Sequence, residues 1–164
     1  LLSRRDLTTR QKILKDSHCG AFAVIRLCTY FLAYFCFAFC IRFSPRVGLC
    51  WTLALVLERG LSGLAVAAFP MAKNTGLAHT FATAADRESV KKILTVLSVL
   101  LAAALIALGG GTLVAAALLV LWRYHHVAVK EFGGITGDLA GWFLQKAEFW
   151  MLAALAASQW GGIL

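Results

Sequence analysis

Charge is scarce in this sequence, and acidic charge is scarcer still. Of its 164 residues, 15% are Asp, Glu, Lys or Arg, while 60% are hydrophobic. A soluble domain carries about a quarter charged residues and roughly half apolar ones. The deficit excludes a disordered chain, a collagen-like chain and an ordinary soluble enzyme. It points to a membrane protein, and at ~20 residues per span plus loops the length suits one domain of four or five spans. Cysteine pairing is missing too: Cys19, Cys28, Cys36, Cys40 and Cys50 form no CxxC pair, which argues against a disulfide framework or a zinc site. They read as small side chains facing lipid or other helices. Residues 1–17 are polar and basic with no apolar stretch of the secretory-signal kind. Residue 1 is Leu rather than Met, so the chain is expected to be a fragment or a processed product.

What is present is a series of apolar runs. The polar head, residues 1–18, carries Arg4, Arg5, Arg10, Lys12 and Lys15, with Leu7, Ile13 and Leu14 at helical spacing. That pattern predicts an amphipathic helix lying on the membrane surface. Membrane or membrane-emerging helices are expected at 19–41, 48–70, 93–108, 112–130 and 139–163, with Pro45 in a turn between the first two. No charge interrupts residues 93–122, but Gly109, Gly110 and Gly111 divide that stretch. One straight helix of that length would be ~45 Å long against a hydrocarbon core of ~30 Å. Two antiparallel helices are therefore expected. The fold class is an all-α polytopic membrane helix bundle with about five transmembrane segments and an N-terminal surface helix, forming a single domain.

Lys and Arg in the loops set the orientation. With the head inside, segments 1–18, 71–92 and 123–138 hold eleven basic residues, while the opposite side holds only Arg42 and Arg46. The net charge of +8 then reads as topology plus an anionic ligand on the cytoplasmic face of the cell (inner) membrane. Basic and aromatic residues are not interleaved as in RNA-binding surfaces, so no nucleic-acid partner is expected. The bilayer is the expected environment, and a homo-oligomer is compatible with such a bundle.

The most informative polar cluster is Gly133-Gly134-Ile135-Thr136-Gly137-Asp138. Glycines before a helix offer backbone N–H groups, and the helix N-terminus adds partial positive charge, which together suit a phosphate. The plainer reading makes Asp138 a helix cap and the glycines a turn. Asp138, Gly141, Gln145 and Glu148 share one helical stripe, and ionisable groups inside a span face a polar interior or a partner. Acids along such a stripe could hold a divalent cation and a phosphate. Against this, Glu148 could pair with a basic residue of another span, and Glu58 with Arg26, which would leave Arg59 for a ligand phosphate. Asp16 and Ser17 sit where the head meets the first span, and Lys73 to Gly76 form a turn after Pro70.

These segments, in this order, resemble the adenosylcobinamide-GDP ribazoletransferase (cobalamin-5′-phosphate synthase) family. Lys15-Asp16-Ser17-His18-Cys19-Gly20 is similar to its basic–Asp–Ser segment followed by Gly. Glu58-Arg59-Gly60 resembles its Ser-Arg-Gly, and Ala72-Lys73-Asn74-Thr75-Gly76-Leu77-Ala78 its Ala-Arg-x-Glu-Gly-Leu-Gly. The segment from Gly133 to Asp138, with Gly141 and Glu148, resembles its Gly-Gly-x-Thr-Gly-Asp helix, the most specific of the four. The resemblance implies a membrane enzyme that uses Mg2+ and joins adenosylcobinamide-GDP to α-ribazole or its 5′-phosphate, releasing GMP. It implies Asp138, Glu148 and Asp16 as catalytic residues, with Asp16 and Asp138 at the metal. Substrate contacts would come from Ser17, Arg59, Lys73, Gly76, Gly133, Gly134, Thr136, Gly137 and Gly141. The family's Asp-rich motif, which precedes the matching region, is absent from this sequence. The expectation is therefore an N-terminally truncated relative, inactive as this fragment alone. The competing expectation is a small membrane transport or scaffold subunit whose buried charges only hold helices together.

Overall fold

The computed structural model describes residues 6–14, 16, 18–72, 87–162 and 164. Among them are six helices: α1 (Leu7–Leu14), α2 (Ala21–Cys40), α3 (Pro45–Ala68), α4 (Arg87–Ala107), α5 (Gly111–Phe132) and α6 (Gly137–Trp160). Among the described residues the one pairing of extended backbone is a bridge between Met71 and Ile135. The protein is thus all-helical. Helices α2, α3, α4 and α5 are long and apolar enough to cross a membrane, which makes this an integral membrane protein. Helix α6 has the length of a span, 24 residues, but Gln145, Lys146 and Glu148 in its first half lower its apolar character.

Local chemistry sets the helix ends. Pro45 lies in the first turn of α3, and the Ser44 hydroxyl accepts from the Val47 N–H at 3.2 Å. Proline lacks only an N–H that a first turn leaves unused, so it starts the helix rather than forming the expected loop. The helix consequently begins three residues before the position read from hydropathy. The break between α4 and α5 falls at the glycines: Gly109 adopts φ +87°, and the Gly110 N–H donates to the Leu105 carbonyl at 2.7 Å. Helix α5 ends at Gly133 in the left-handed region (φ +73°). There the Gly133 N–H donates to Val129 O and the Gly134 N–H to Ala128 O, the pattern that satisfies the last carbonyls of a helix.

The core lies between α3, α5 and α6. Leu57 and Leu61 of α3, Leu113, Ala117 and Tyr124 of α5, and Phe143 and Met151 of α6 are buried in it. Tyr124 stacks on Phe143 with ring centroids 5.2 Å apart. Helix α2 is different, because none of its residues is buried and it leans on α6 through Tyr30 and Phe37 against Phe149. Its outward Phe22, Phe35 and Phe39 suit a lipid environment. At the far end, Arg46 donates from Nε and Nη2 to the Leu108 carbonyl, and Gln159 holds the Arg42 backbone through both ends of its amide.

Helix α1 is tied to the C-terminal end of α5. Arg10 pairs with Glu131, and Gln11 Nε2 donates to the Phe132 carbonyl at 3.0 Å. Asp6 caps α1: its carbonyl accepts from Arg10 N and its carboxylate from Thr9 N. Hydrogen bonds, first from the Thr8 hydroxyl and then from Thr9, hold the Asp6 carboxyl down at about 2. A carboxyl lowered in this way favours the fold above its unfolded value of ~3.9 and stops doing so as pH falls through the lowered one. Amide-exchange protection of α1 is therefore expected to stay level from neutral pH to about 4 and to decline between there and about 2. Arg10→Ala is expected to raise exchange across α1 about fivefold at neutral pH, the worth of one part-exposed ion pair. Unchanged exchange would mean that the pair does not hold the helix.

Candidate functional site

The residues that matter gather where α5 passes into α6. Ile135 crosses between the two helices in extended form, with its N–H donating to Pro70 O at 2.9 Å and its carbonyl accepting from Ala72 N at 3.0 Å. This bridge brings the segment after α3 against the glycine segment, although some 60 residues separate them in sequence. Gly134 makes the approach possible. A Cβ placed on it would lie 2.5 Å from both Ala72 N and Met71 C, and its φ is +147°. Only glycine tolerates both the contact and the angle.

The amides divide into two sets. Those of Gly133, Gly134 and Ile135 are consumed by the end of α5 and by the bridge, so the first two glycines serve backbone geometry and their N–H groups do not face a ligand. Thr136 is the N-cap of α6, its hydroxyl accepting from the Leu139 N–H at 3.3 Å. Asp138 is thus not the cap, which corrects the plainer reading of the sequence. Threonine in extended backbone fills that position, and Asp138 falls inside the first turn. Among the described residues the N–H groups of Gly137 and Asp138 meet no acceptor. The Asp138 carboxylate is exposed and has no partner there either. Gly137 and Gly141 are exposed, with nothing within 4 Å of where a Cβ would sit. The mouth of α6 is therefore open backbone with one carboxylate beside it.

The stripe predicted from spacing runs down α6 from this mouth. Asp138, Gly141 and Gln145 are exposed, and Glu148 is half-buried against α2. Glu148 Oε1 accepts from the Tyr34 hydroxyl at 2.7 Å, so its partner is a tyrosine rather than a basic residue. The Tyr30 hydroxyl reaches the Gln145 carbonyl at 3.4 Å, and the Lys146 ammonium lies 6.0 Å from the ring centroids of Tyr30 and Phe149. Ten residues of helix separate Asp138 from Glu148, ~15 Å, so no single ion touches both.

The other expected residues lie apart from the mouth. Arg59 is nine residues from the end of α3 and points outward, its side chain 61% exposed. Its Nε is 3.5 Å from Glu58 Oε1. That is charge proximity without hydrogen-bond geometry, since both Glu58 oxygens lack a hydrogen-bond partner. The anticipated Glu58–Arg26 pair does not form. Asp16 is exposed and accepts from the His18 backbone N–H at 3.0 Å, with His18 Nδ1 at 2.7 Å. Those two bonds, the backbone one first, hold its carboxyl below the usual value. Among the described residues Asp16 makes no hydrogen bond or ion pair with another site residue. Ser17, Lys73 and Gly76 lie outside the described residues. The sequence reading missed Tyr34 and Tyr30, whose i, i+4 spacing puts two hydroxyls on one face of α2. That spacing was the available signal.

Among the described residues no three His, Cys, Asp or Glu side chains gather into a metal cage. One exposed carboxylate beside free helix N-terminal amides does suit Mg2+, which is commonly held by one or two carboxylates, waters and the oxygens of a bound phosphate. The free amides favour the phosphate and the carboxylate favours the ion.

A family model described as cobalamin-5-phosphate synthase matches residues 1–156. An adenosylcobinamide-GDP ribazoletransferase of Lachnoclostridium phytofermentans is 40% identical over 153 residues, 90% of this chain and 56% of that protein. Proteins of the same name from a Geobacillus species and from Desulforamulus reducens are 32% and 28% identical, over 91% and 97% of this chain and 59% and 63% of their own lengths. The chain thus spans little more than half the length of these curated relatives. No solved structure matches.

Proposed function

The chain belongs to the cobalamin-5-phosphate synthase family, and from that membership we propose that it forms part of a membrane transferase joining adenosylcobinamide-GDP to α-ribazole or its 5′-phosphate. A ribose hydroxyl attacks the phosphorus attached to cobinamide. The new P–O bond forms as the bond to GMP breaks, and the hydroxyl proton leaves. Such transfers depend on positioning the phosphates and neutralising charge on their oxygens more than on covalent chemistry by the protein.

One observation carries the reading. The Met71–Ile135 bridge presses two separate motif segments together beside an open helix N-terminus. The free Gly137 and Asp138 N–H groups there donate to phosphate oxygens, and Gly141 keeps the approach clear one turn below. Asp138 would hold Mg2+ there, with Asp16 from the surface segment as a second carboxylate for it. When bound, the ion supplies positive charge to the phosphate oxygens. Ser17, Lys73 and Gly76 belong to the same functional assignment. Arg59, remote from the mouth, serves a phosphate only if substrate extends along the outer face of α3. The mouth faces the cytoplasm, and the membrane is the inner membrane of the cell. Alone, this chain supplies an incomplete site. The scaffold reading is disfavoured because, among the described residues, Glu58 has no interhelical partner of the kind that reading requires.

A chimera tests the proposal. This chain replaces the matching part of the 40%-identical relative in bilayer nanodiscs, and GMP release is followed with and without Mg2+. Magnesium-dependent GMP release, absent from this chain alone, is the expected result. A folded, membrane-inserted chimera that releases no GMP would count against the assignment.

A further inference from the structure

We infer that the bundle carries a second site, deep between α2, α3 and α6, that takes one monovalent cation between Glu58 and Glu148. Glu58 is completely buried, and neither of its carboxylate oxygens has a hydrogen-bond partner among the described residues. A buried carboxylate without hydrogen bonds is strongly disfavoured unless a proton or a positive charge neutralises it, and Arg59 Nε, 3.5 Å from Oε1, reaches only one of the two oxygens. Glu148 lies on α6, one of the helices that pack against α3. The two lie at matching depth: Glu58 is ten residues from the end of α3 and Glu148 eleven from the start of α6. Those ends are joined by the Met71–Ile135 bridge, which puts both carboxylates ~15 Å from the same face. Tyr34 donates its proton to Glu148 Oε1, which fixes that carboxylate and leaves lone pairs on the phenol oxygen and on Oε2.

The charges specify the class of ligand. Two carboxylates face one local cation, Arg59, whose guanidinium points outward and makes no hydrogen bond to Glu58. Lys146 sits two residues from Glu148, about 200° round the helix, over the Tyr30 and Phe149 rings. Tyr30 and Tyr34 are the titratable groups that face the pair from α2, and Arg26 forms no ion pair with either acid. With both acids ionised one negative charge remains, which a single monovalent ion cancels. Among the described residues no third acid, His or Cys joins to make a divalent cage. The site does not depend on the proposed transferase activity, because the α6 mouth lies a full three turns away.

The test uses this chain in detergent micelles at constant ionic strength, with chloride salts of sodium, potassium or N-methylglucamine. Unfolding midpoint and tryptophan fluorescence are recorded, Trp51 and Trp150 lying on the two acid-bearing helices. Sodium or potassium is expected to raise the midpoint by about 5 °C at saturation over N-methylglucamine, and their relative potency identifies the preferred ion. Glu58→Gln and Glu148→Gln should each abolish the rise. Tyr34→Phe should keep the fold and weaken the apparent affinity about tenfold; this variant decides the matter if the Glu58 variant does not fold. Asp138→Asn should leave the response intact, which separates this site from the mouth. Equal midpoints in all three salts, a response to pH alone, or a sodium response that survives Glu58→Gln would overturn the inference.

Discussion

Gly134→Ala is expected to destabilise the protein by about 4 kcal/mol, enough to disrupt the junction between α5 and α6. The added Cβ would overlap three backbone atoms: Ala72 N and Met71 C at 2.5 Å and Pro70 O at 2.6 Å. None of these is the far end of a flexible side chain, so the clash is relieved only by separating the segments. Separation breaks the two hydrogen bonds that Ile135 makes and uncovers Ile135, which is buried in the core. The φ of +147° adds strain for any residue with a Cβ. Gly137→Ala and Gly141→Ala are the contrast. Both sit in helix with open space where the Cβ would go, so stability should hold or rise by about 0.5 kcal/mol. Their effect, if the proposed phosphate site is right, is on turnover. Unfolding in mild denaturant, followed by far-UV circular dichroism, separates the two classes. Equal stability of Gly134→Ala and the native chain would mean that the bridge is not formed.

Asp138→Asn in the active chimera is expected to lower magnesium-dependent GMP release by about 100-fold or more without lowering stability. Asn keeps the size and the helix position but loses the charge that faces the ion. Because Thr136 supplies the cap, the helix end does not depend on Asp138, and its loss is not a folding defect. The magnesium concentration giving half-maximal rate should rise together with the fall in turnover. A purely structural role would change the melting midpoint and leave that concentration alone. Unchanged GMP release would remove Asp138 from the site.

These two predictions draw on different sources of information. Asp138 was legible from its place after three glycines and a threonine, because helix N-termini and their capping residues are local chemistry. The role of Gly134 was not. Its position in a glycine-rich run suggested amides turned toward a ligand, whereas its N–H closes the end of α5 and its missing Cβ admits a distant segment of backbone. Asp16 is exposed just after α1, its contact is with neighbouring His18, and nothing local shows how far it lies from the α6 mouth.

The sequence by itself determined the helical class, the membrane environment and the broad limits of the helices. Each rests on runs of apolar residues and on the backbone preferences of glycine and proline, which act over a few residues. It also determined the stripe from Asp138 to Glu148, because 3.6 residues per turn is a property of the backbone. Only the tertiary structure decided which faces meet. The sequence allowed Glu58 to turn to Arg26, yet Glu58 is buried on the same helix as the core residues Leu57, Leu61 and Ala65 and forms no pair with Arg26 among the described residues. Tyr34 meets Glu148 across 114 residues of chain, and Ile135 meets Pro70 and Ala72 across the core. Such contacts depend on how several helices pack at once, and no short stretch of sequence carries that information.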